Sequence, residues 1–351
     1  MPLPDVLRAL LTANGPSGFE TAPAAVWREA AGAFAEVAVD EMGNSTATVA
    51  GTGGGRSVAI VGHVDEIGLI VTHIDDKGFL WFAGVGGWDP QILVGQRVAL
   101  STRGGQVPGV IGKKAIHLLK KEEREKVAEL KDLHIDIGAA DGEEAKRLVR
   151  VGDAAVIAAE PVELPNGRAA SKAMDNRLGA FVAYEAARLV AEAGGAAGDV
   201  VAVAGVQEEI GLNGARAVSY RLNPDAAIVV DVTHATDAPG IDPKEAGEHA
   251  LGSGPVLERG STLHPVLYDR LEAAAEAESI AYTVTASAGR TGTDADVIHF
   301  SRGGVPTQCV SLPLRYMHSP VEVVQVSDVL DAAKLIAAFC RRLEPDATFA
   351  R

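Results

Sequence analysis

Cysteine is almost absent from this chain of 351 residues: only Cys309 and Cys340 occur. Each sits in an apolar stretch. Two such residues cannot build a disulfide framework, and they fit reduced, buried thiols. No CxxC pair exists, which excludes a zinc knuckle. Basic residues are the second shortage. Lys plus Arg number 32 against 47 Asp plus Glu, a net charge of −15. Phosphate binding needs a basic footprint, so nucleic acid is not an expected partner. An acidic balance instead suits a protein that binds cations. Long hydrophobic runs are also missing. None reaches the ~18–20 residues of a membrane span. The N-terminal MPLPDVLRALLTANG places Asp5 ahead of a short apolar run and shows no cleavage site, unlike a signal peptide. The expected location is the cytoplasm, with no membrane partner. Internal repeats and low-complexity tracts are lacking too.

What is present is a chain of two or three domains by length, with apolar runs that alternate with helical patterns. That alternation points to α/β architecture. Leu7, Leu10 and Leu11 recur at helical spacing until GPSG breaks the pattern. A second amphipathic helix is expected from Thr21 to Phe34. Val58–Val61, Val200–Val206, Ala226–Val230 and Thr307–Leu312 are short, continuously apolar and β-rich. Such runs fit buried strands of a mainly parallel sheet flanked by helices. The helices are expected at Arg177–Ala193, Ala215–Tyr220, Pro265–Glu278 and Ser327–Leu343. The stretch from about Gly68 to Arg168 differs. Its short strand-like pieces, separated by Gly, Asp and Pro, predict a small β-barrel or sandwich. The charged LLKKEEREKVAELKD interrupts it and reads as a solvated loop or helix. The expected organisation is therefore an α/β domain over 1–67 and 169–351, split by a β-rich insert over 68–168.

Four of the predicted strands lead into acidic or imidazole side chains. VAIVGHVDE carries His63 and Asp65, and VVAVAGVQEE carries Glu208 and Glu209. AAIVVDVTH carries Asp231, and QCVSLPLRYMHSP reaches His318. Ligands of open α/β sheets bind outside the carboxyl ends of the strands, so these groups point at one edge. Asp175, in SKAMDNRLG, stands at the start of a predicted helix. Two histidines and three carboxylates in one pocket suggest a metal site, better suited to Zn, Co or Mn than to Cu(I) or an iron–sulfur cluster. A catalytic zinc takes three protein ligands, so five are too many for one. They fit two metals if one carboxylate bridges. Paired metals about 3.5–4 Å apart can hold a hydroxide and polarise a carbonyl together. Singly, each residue has a plainer role. A histidine at a strand end can be structural, and Asp175 can be a helix N-cap. Glu208 and Glu209, adjacent on an extended strand, would face opposite ways. His73, His117, His134, His234, His249, His264 and His299 lack this context and are read as non-ligands.

GHVDEIG, SKAMDNRLG, VQEEIGLNGA, VVDVTH and RYMHSPVEVV stand in an order and spacing that resembles the M42 family of metallo-aminopeptidases. That family includes TET-type peptidases and glutamyl aminopeptidases, and some members carry an endoglucanase label. LLTANGPSGFE, GVIGKKAIHLL, LHIDIGA and TGTDAD support the likeness, which spans essentially the whole chain. The resemblance implies that His63 and Asp231 hold one divalent metal and Glu209 and His318 the other, with Asp175 bridging; Zn or Co are the expected ions, with Mn also accepted. It implies that Asp65 orients the His63 ring. Glu208 becomes the general base on the metal-held water and then delivers the proton to the leaving amine. TGTDAD makes Thr293 and Asp294 candidate substrate-pocket residues. Arg290 either favours an acidic substrate side chain or is a salt-bridged surface residue. The insert resembles the family's PDZ-like dimerisation domain, which implies dimers that assemble into a tetrahedral dodecamer. The implied activity is removal of single residues from the free N-terminus of short peptides.

Three other readings use the same residues. A deblocking peptidase would accept an acyl group where the aminopeptidase holds an ammonium. A glycoside hydrolase could use Glu208 and Asp231 as acid and base, but it leaves His63, His318 and Asp175 without work. A peptide-binding scaffold acting through the insert would not need metal ligands.

Overall fold

The computed structural model describes residues 1–350. Its centre follows from the continuously apolar runs. Strands Val200–Gly205, Val58–His63, Ala226–His234 and Thr307–Arg315 lie side by side in that order, all parallel. Successive side chains feed two separate cores. Ile60, Ala202, Ile228 and Val310 pack on one face, and Val61, Val203, Val229 and Cys309 on the other. Burial on both faces is why these runs carry no polar alternation.

Around this centre most pairings are antiparallel, the Val256–Gly260 pair with Thr283–Ser287 excepted, so the whole is mixed rather than mainly parallel. Ser45–Val49 and Glu36–Val39 extend one side; Glu322–Gln325, Arg168–Ser171 and Val162–Leu164 extend the other. Val256–Gly260 branches off Thr307–Arg315 and pairs with Thr283–Ser287. The outer strands are short, and several are half-exposed. Ser45–Val49 alternates buried and half-buried residues. That pattern offers no apolar run to read in the sequence.

Helices cover both faces. Asp5–Thr12, Thr21–Ala31, Met174–Glu192, Pro265–Glu278 and Val326–Arg342 share the larger core. Asn213–Leu222 and Ala295–Ile298 share the smaller one. The second helix stops at Ala31, short of the expected Phe34, where Gly32 follows. Met174–Glu192 crosses the sheet unusually closely. A Cβ on Gly62 would sit 2.2 Å from the Gly179 carbonyl carbon, and one on Gly179 would sit 2.3 Å from the Val230 carbonyl oxygen. Only glycine permits this approach, and it brings the helix N-terminus to the carboxyl edge of the strands.

The β-rich stretch closes into a barrel with its own core. The strands run Gly68–Ile74, Leu80–Val85, His134–Asp136, Gly105–Gly112, Arg97–Thr102 and Ala154–Ile157, and the last pairs back to the first. Leu69, Leu80, Val98, Leu100 and Ile135 fill it. The charged segment forms only the short helix Lys121–Arg124 and a 3₁₀ turn at Leu130–Asp132, both largely exposed. Among the described residues, no helix is long and apolar enough to cross a membrane.

Candidate metal centre

The carboxyl halves of the central strands and the turns that follow them bring the candidate ligands to one edge. His63 ends its strand opposite Gly205. Asp231 stands two residues beyond Val229, the partner of Val61, so its carboxylate reaches the same level. The strand beside His63 ends at Gly205. Gln207 then takes φ 55°, and Glu208 and Glu209 enter a turn. This corrects the strand expectation for the glutamate pair. Asp65 accepts the backbone N–H of both residues at 3.2 Å, and both carboxylates face inward. Glu208 Oε2 lies 3.6 Å from His63 Nε2, and Glu209 Oε2 lies 3.4 Å from His318 Nε2.

Asp175 opens the helix Met174–Glu192 without helical dihedrals, at φ −77° and ψ 106°, and a cis peptide bond joins it to Asn176. It is not the N-cap. Asn176 Oδ1 takes that part by accepting the Gly179 N–H at 2.9 Å. The Asp175 carboxylate is left between two rings: Oδ1 is 3.4 Å from His63 Nε2, and Oδ2 is 3.1 Å from His318 Nε2. The other ring nitrogens are tied back. His63 Nδ1 lies 3.3 Å from Asp65 Oδ1, and Ser17 donates to the same carboxylate at 2.6 Å. His318 Nδ1 lies 3.1 Å from the carbonyl oxygen of Gly87, in the segment that follows the barrel strand Leu80–Val85. Such partners fix the tautomer of a metal-binding imidazole.

His63, Glu208 and Asp231 offer ligand atoms within 4.8 Å of one another, and so do His63, Asp175 and Glu209. They line a cleft of about 310 Å³ with Thr291, Gly292, Thr293, Met317 and His234. Thr293 thus stands in the wall. Asp294 lies buried behind it, with its Oδ1 unpartnered. Arg290 is exposed and pairs with Asp296 at 3.0 Å, which fits the surface reading. His234, read as a non-ligand, does reach the cleft wall.

Crowding governs the charges. Burial pushes Glu208 up to about 10, against the pull of His63 and with help from Asp231, Asp294 and Glu209. Burial also raises Glu209 and Asp231 and lifts Asp294 to about 7. Hydrogen bonding to Asp175 and Glu209 raises His318 to about 11. Burial opposes charge on His63, but Glu208 and Asp65 outweigh it and its pKa rises. Asp175 goes down: burial opposes this, and its contacts with His318 and His63 prevail. Asp65 goes down as well, its burial outweighed by His63, Ser17 and the Glu208 N–H. Protons therefore stand in for cations in this cluster. Glu209 Oε1 is buried without a hydrogen-bond partner. Together, the imidazole–carboxylate donors and this orphaned oxygen fit divalent metal ions.

Supporting carboxylates complete the site, and none is singled out by strand-end position. Glu322 accepts backbone N–H groups of Met174, Asp175 and His318. Its available signal is a lone carboxylate in the apolar run VEVV. Glu66 is buried between Lys172 at 2.6 Å and Arg177 at 2.8 Å. Arg177 also donates to the carbonyls of Val64 and Leu10, welding the first helix to the His63 loop. Glu20 accepts the Gln207 N–H at 3.1 Å, steadying the glutamate turn.

A family model for M42 glutamyl aminopeptidase matches residues 43–335. The chain belongs to the M42 family. The lysyl aminopeptidase of Pyrococcus furiosus is 35% identical to this M42 chain over 315 residues, covering 88% of each protein. The crystal structure of a TET aminopeptidase from the marine sediment archaeon Thaumarchaeota archaeon SCGC AB-539-E09 matches with a TM-score of 0.92 at 37% identity, covering 97% of this chain and 96% of that one. The TET1 peptidase of Pyrococcus horikoshii, which can assemble into a tetrahedron or a large octahedral shell, matches with a TM-score of 0.85 at 31% identity, covering 97% and 99%. The motif resemblance and the family model agree, and the M42 protein is a peptidase, a hydrolase of peptide bonds.

Proposed function

We propose that this M42 chain is a two-metal aminopeptidase that removes single residues from the unblocked N-terminus of short peptides. One observation carries the reading. The two oxygens of Asp175 face two different histidines, and a further carboxylate stands at each ring. On that basis His63 and Asp231 would hold one ion, Glu209 and His318 the other, and Asp175 both. When bound, two divalent cations such as Zn or Co would acidify a water and polarise the scissile carbonyl. Asp65 holds the His63 ring and the Glu208–Glu209 turn together. Positive charge at the cluster lowers the pKa of Glu208 and frees its carboxylate as a base. Glu208 takes the proton of the attacking water as the O–C bond forms. It returns that proton to the leaving nitrogen as the C–N bond breaks. Neighbouring carboxylates hold the substrate ammonium, which restricts attack to the first residue. Thr293 contributes to the substrate wall, and Asp294 supports it from behind. The cleft wall carries no Lys or Arg among the described residues, so a neutral first residue is favoured over Glu.

We also assign the barrel, within an insert over 68–168, as a PDZ-like dimerisation unit of a tetrahedral dodecamer. The TET1 relative's assembly supports this, as do the exposed apolar side chains Val110, Ile116, Leu118 and Val127 in the insert. The test of the site is Asp175→Asn. Co²⁺ titration of the stripped variant should show both equivalents weakened together. Loss of one equivalent with the other intact would rule out the bridge.

A further inference from the structure

Glu322 lies directly behind the cluster and takes no chemical step. It opens the strand Glu322–Gln325 and is buried. Its Oε2 accepts the backbone N–H of Met174 at 2.7 Å and of Asp175 at 3.2 Å, and its Oε1 accepts that of His318 at 2.8 Å. One carboxylate therefore ties together two segments far apart in sequence. One segment carries the residue between both rings, and the other carries the second ring. Both backbones are irregular where it grips them. His318 has φ 58°, and Asp175 departs from helical dihedrals. Neither conformation has a helix or strand ladder to maintain it, so side-chain acceptors must take over these N–H groups. Hydrogen bonds from N–H groups to a buried carboxylate are the strong kind.

We propose that Glu322 is a positioning residue of the metal centre: it sets the separation of Asp175 and His318, and through it the affinity of the site they share. This rests on the two-metal reading above. Glu322→Gln keeps the size and one acceptor oxygen, but its NH₂ group cannot accept the second set of N–H groups.

The measurement is Co²⁺ titration of stripped protein against a chromogenic chelator, with the visible Co²⁺ spectrum recorded alongside. Asp328→Asn is the control. Asp328 is equally buried and accepts the Gly252 and Gly254 N–H groups at 2.8 and 3.2 Å, and it takes no part in the cluster. Both variants should lower the melting temperature. Only Glu322→Gln should weaken Co²⁺ at the affected site, by roughly 10- to 100-fold, and alter the spectrum. If Glu322→Gln fails to fold, Glu322→Asp, shorter by one methylene, takes the same test. Two tight Co²⁺ sites with an unchanged spectrum in the Glu322 variant, or equal loss in Asp328→Asn, would overturn the positioning role and leave the two-metal reading standing. Wild-type protein that binds no Co²⁺ overturns both.

Discussion

Glu208 and Glu209 show how adjacent residues can face different partners. One faces His63 and the other His318, because the turn at Gln207 removes the strand pleat. Glu208→Gln keeps shape and hydrogen bonding but cannot take a proton. It should retain both metals by elemental analysis and lose turnover at least a few hundredfold; near-normal turnover would remove Glu208 from its role. The charges make a second expectation. Glu208 moves from 4.5 to about 10 and His318 from 6.5 to about 11 in the folded, metal-free protein. Both folded values lie above the unfolded ones. Their stabilisation is therefore complete below the unfolded values and fades as pH rises through the folded values. Stripped protein should melt at falling temperature from about pH 5 toward 10, and metal addition should reverse the trend with proton release. A flat calorimetric profile over that range would contradict it. At this scale the sequence picks out residues that the fold brings to one cleft, since His63 ends its strand, Asp231 lies near the carboxyl end of its own and His318 follows shortly after another. It does not show how they are held. Nothing in QEE announces the left-handed Gln207, and Glu322 acts only through backbone N–H groups that folding brings together.

At the scale of elements, the site depends on the crossing of a strand and a helix. Gly62 precedes His63, and Gly179 lies one turn past Asp175. Their backbones meet where no Cβ fits. Gly62→Ala must force the two apart. It should cost about 1–3 kcal/mol by overpacking, read as a lower urea midpoint, and it should weaken metal binding because His63 moves with the strand. An unchanged midpoint would show that the crossing yields more easily than its geometry implies. The central strands and most of the helices are legible because burial on two faces leaves continuous apolar runs, and burial on one leaves a helical stripe. The antiparallel flanks are not. Strands such as Glu36–Val39 and Val162–Leu164 are short and largely exposed, so periodicity has too little to register.

For the whole molecule, the barrel is both a separate core and a neighbour of the site. Its segment at Gly87 meets His318, so the barrel touches the candidate metal centre, and under the proposed assembly it would also offer a surface for association. Solution mass is the direct check on assembly. Light scattering should return about twelve times the 36.3 kDa chain mass; a monomer at micromolar concentration would contradict the assembly. The β-rich stretch and its barrel-or-sandwich class are readable from its turn residues, and the structure closes it as a barrel; which strand pairs with which depends on long-range contacts that no local pattern encodes. The central claim is peptide hydrolysis by a two-metal centre. It is tested most directly by stripping the protein with EDTA, adding back Co²⁺ or Zn²⁺, and measuring amino acids released from short peptides with free or acetylated N-termini. Metal-restored release of single N-terminal residues from the free peptides alone, Leu faster than Glu, is the expected result. No release from folded protein under either metal, or release only from the acetylated peptides, would contradict it.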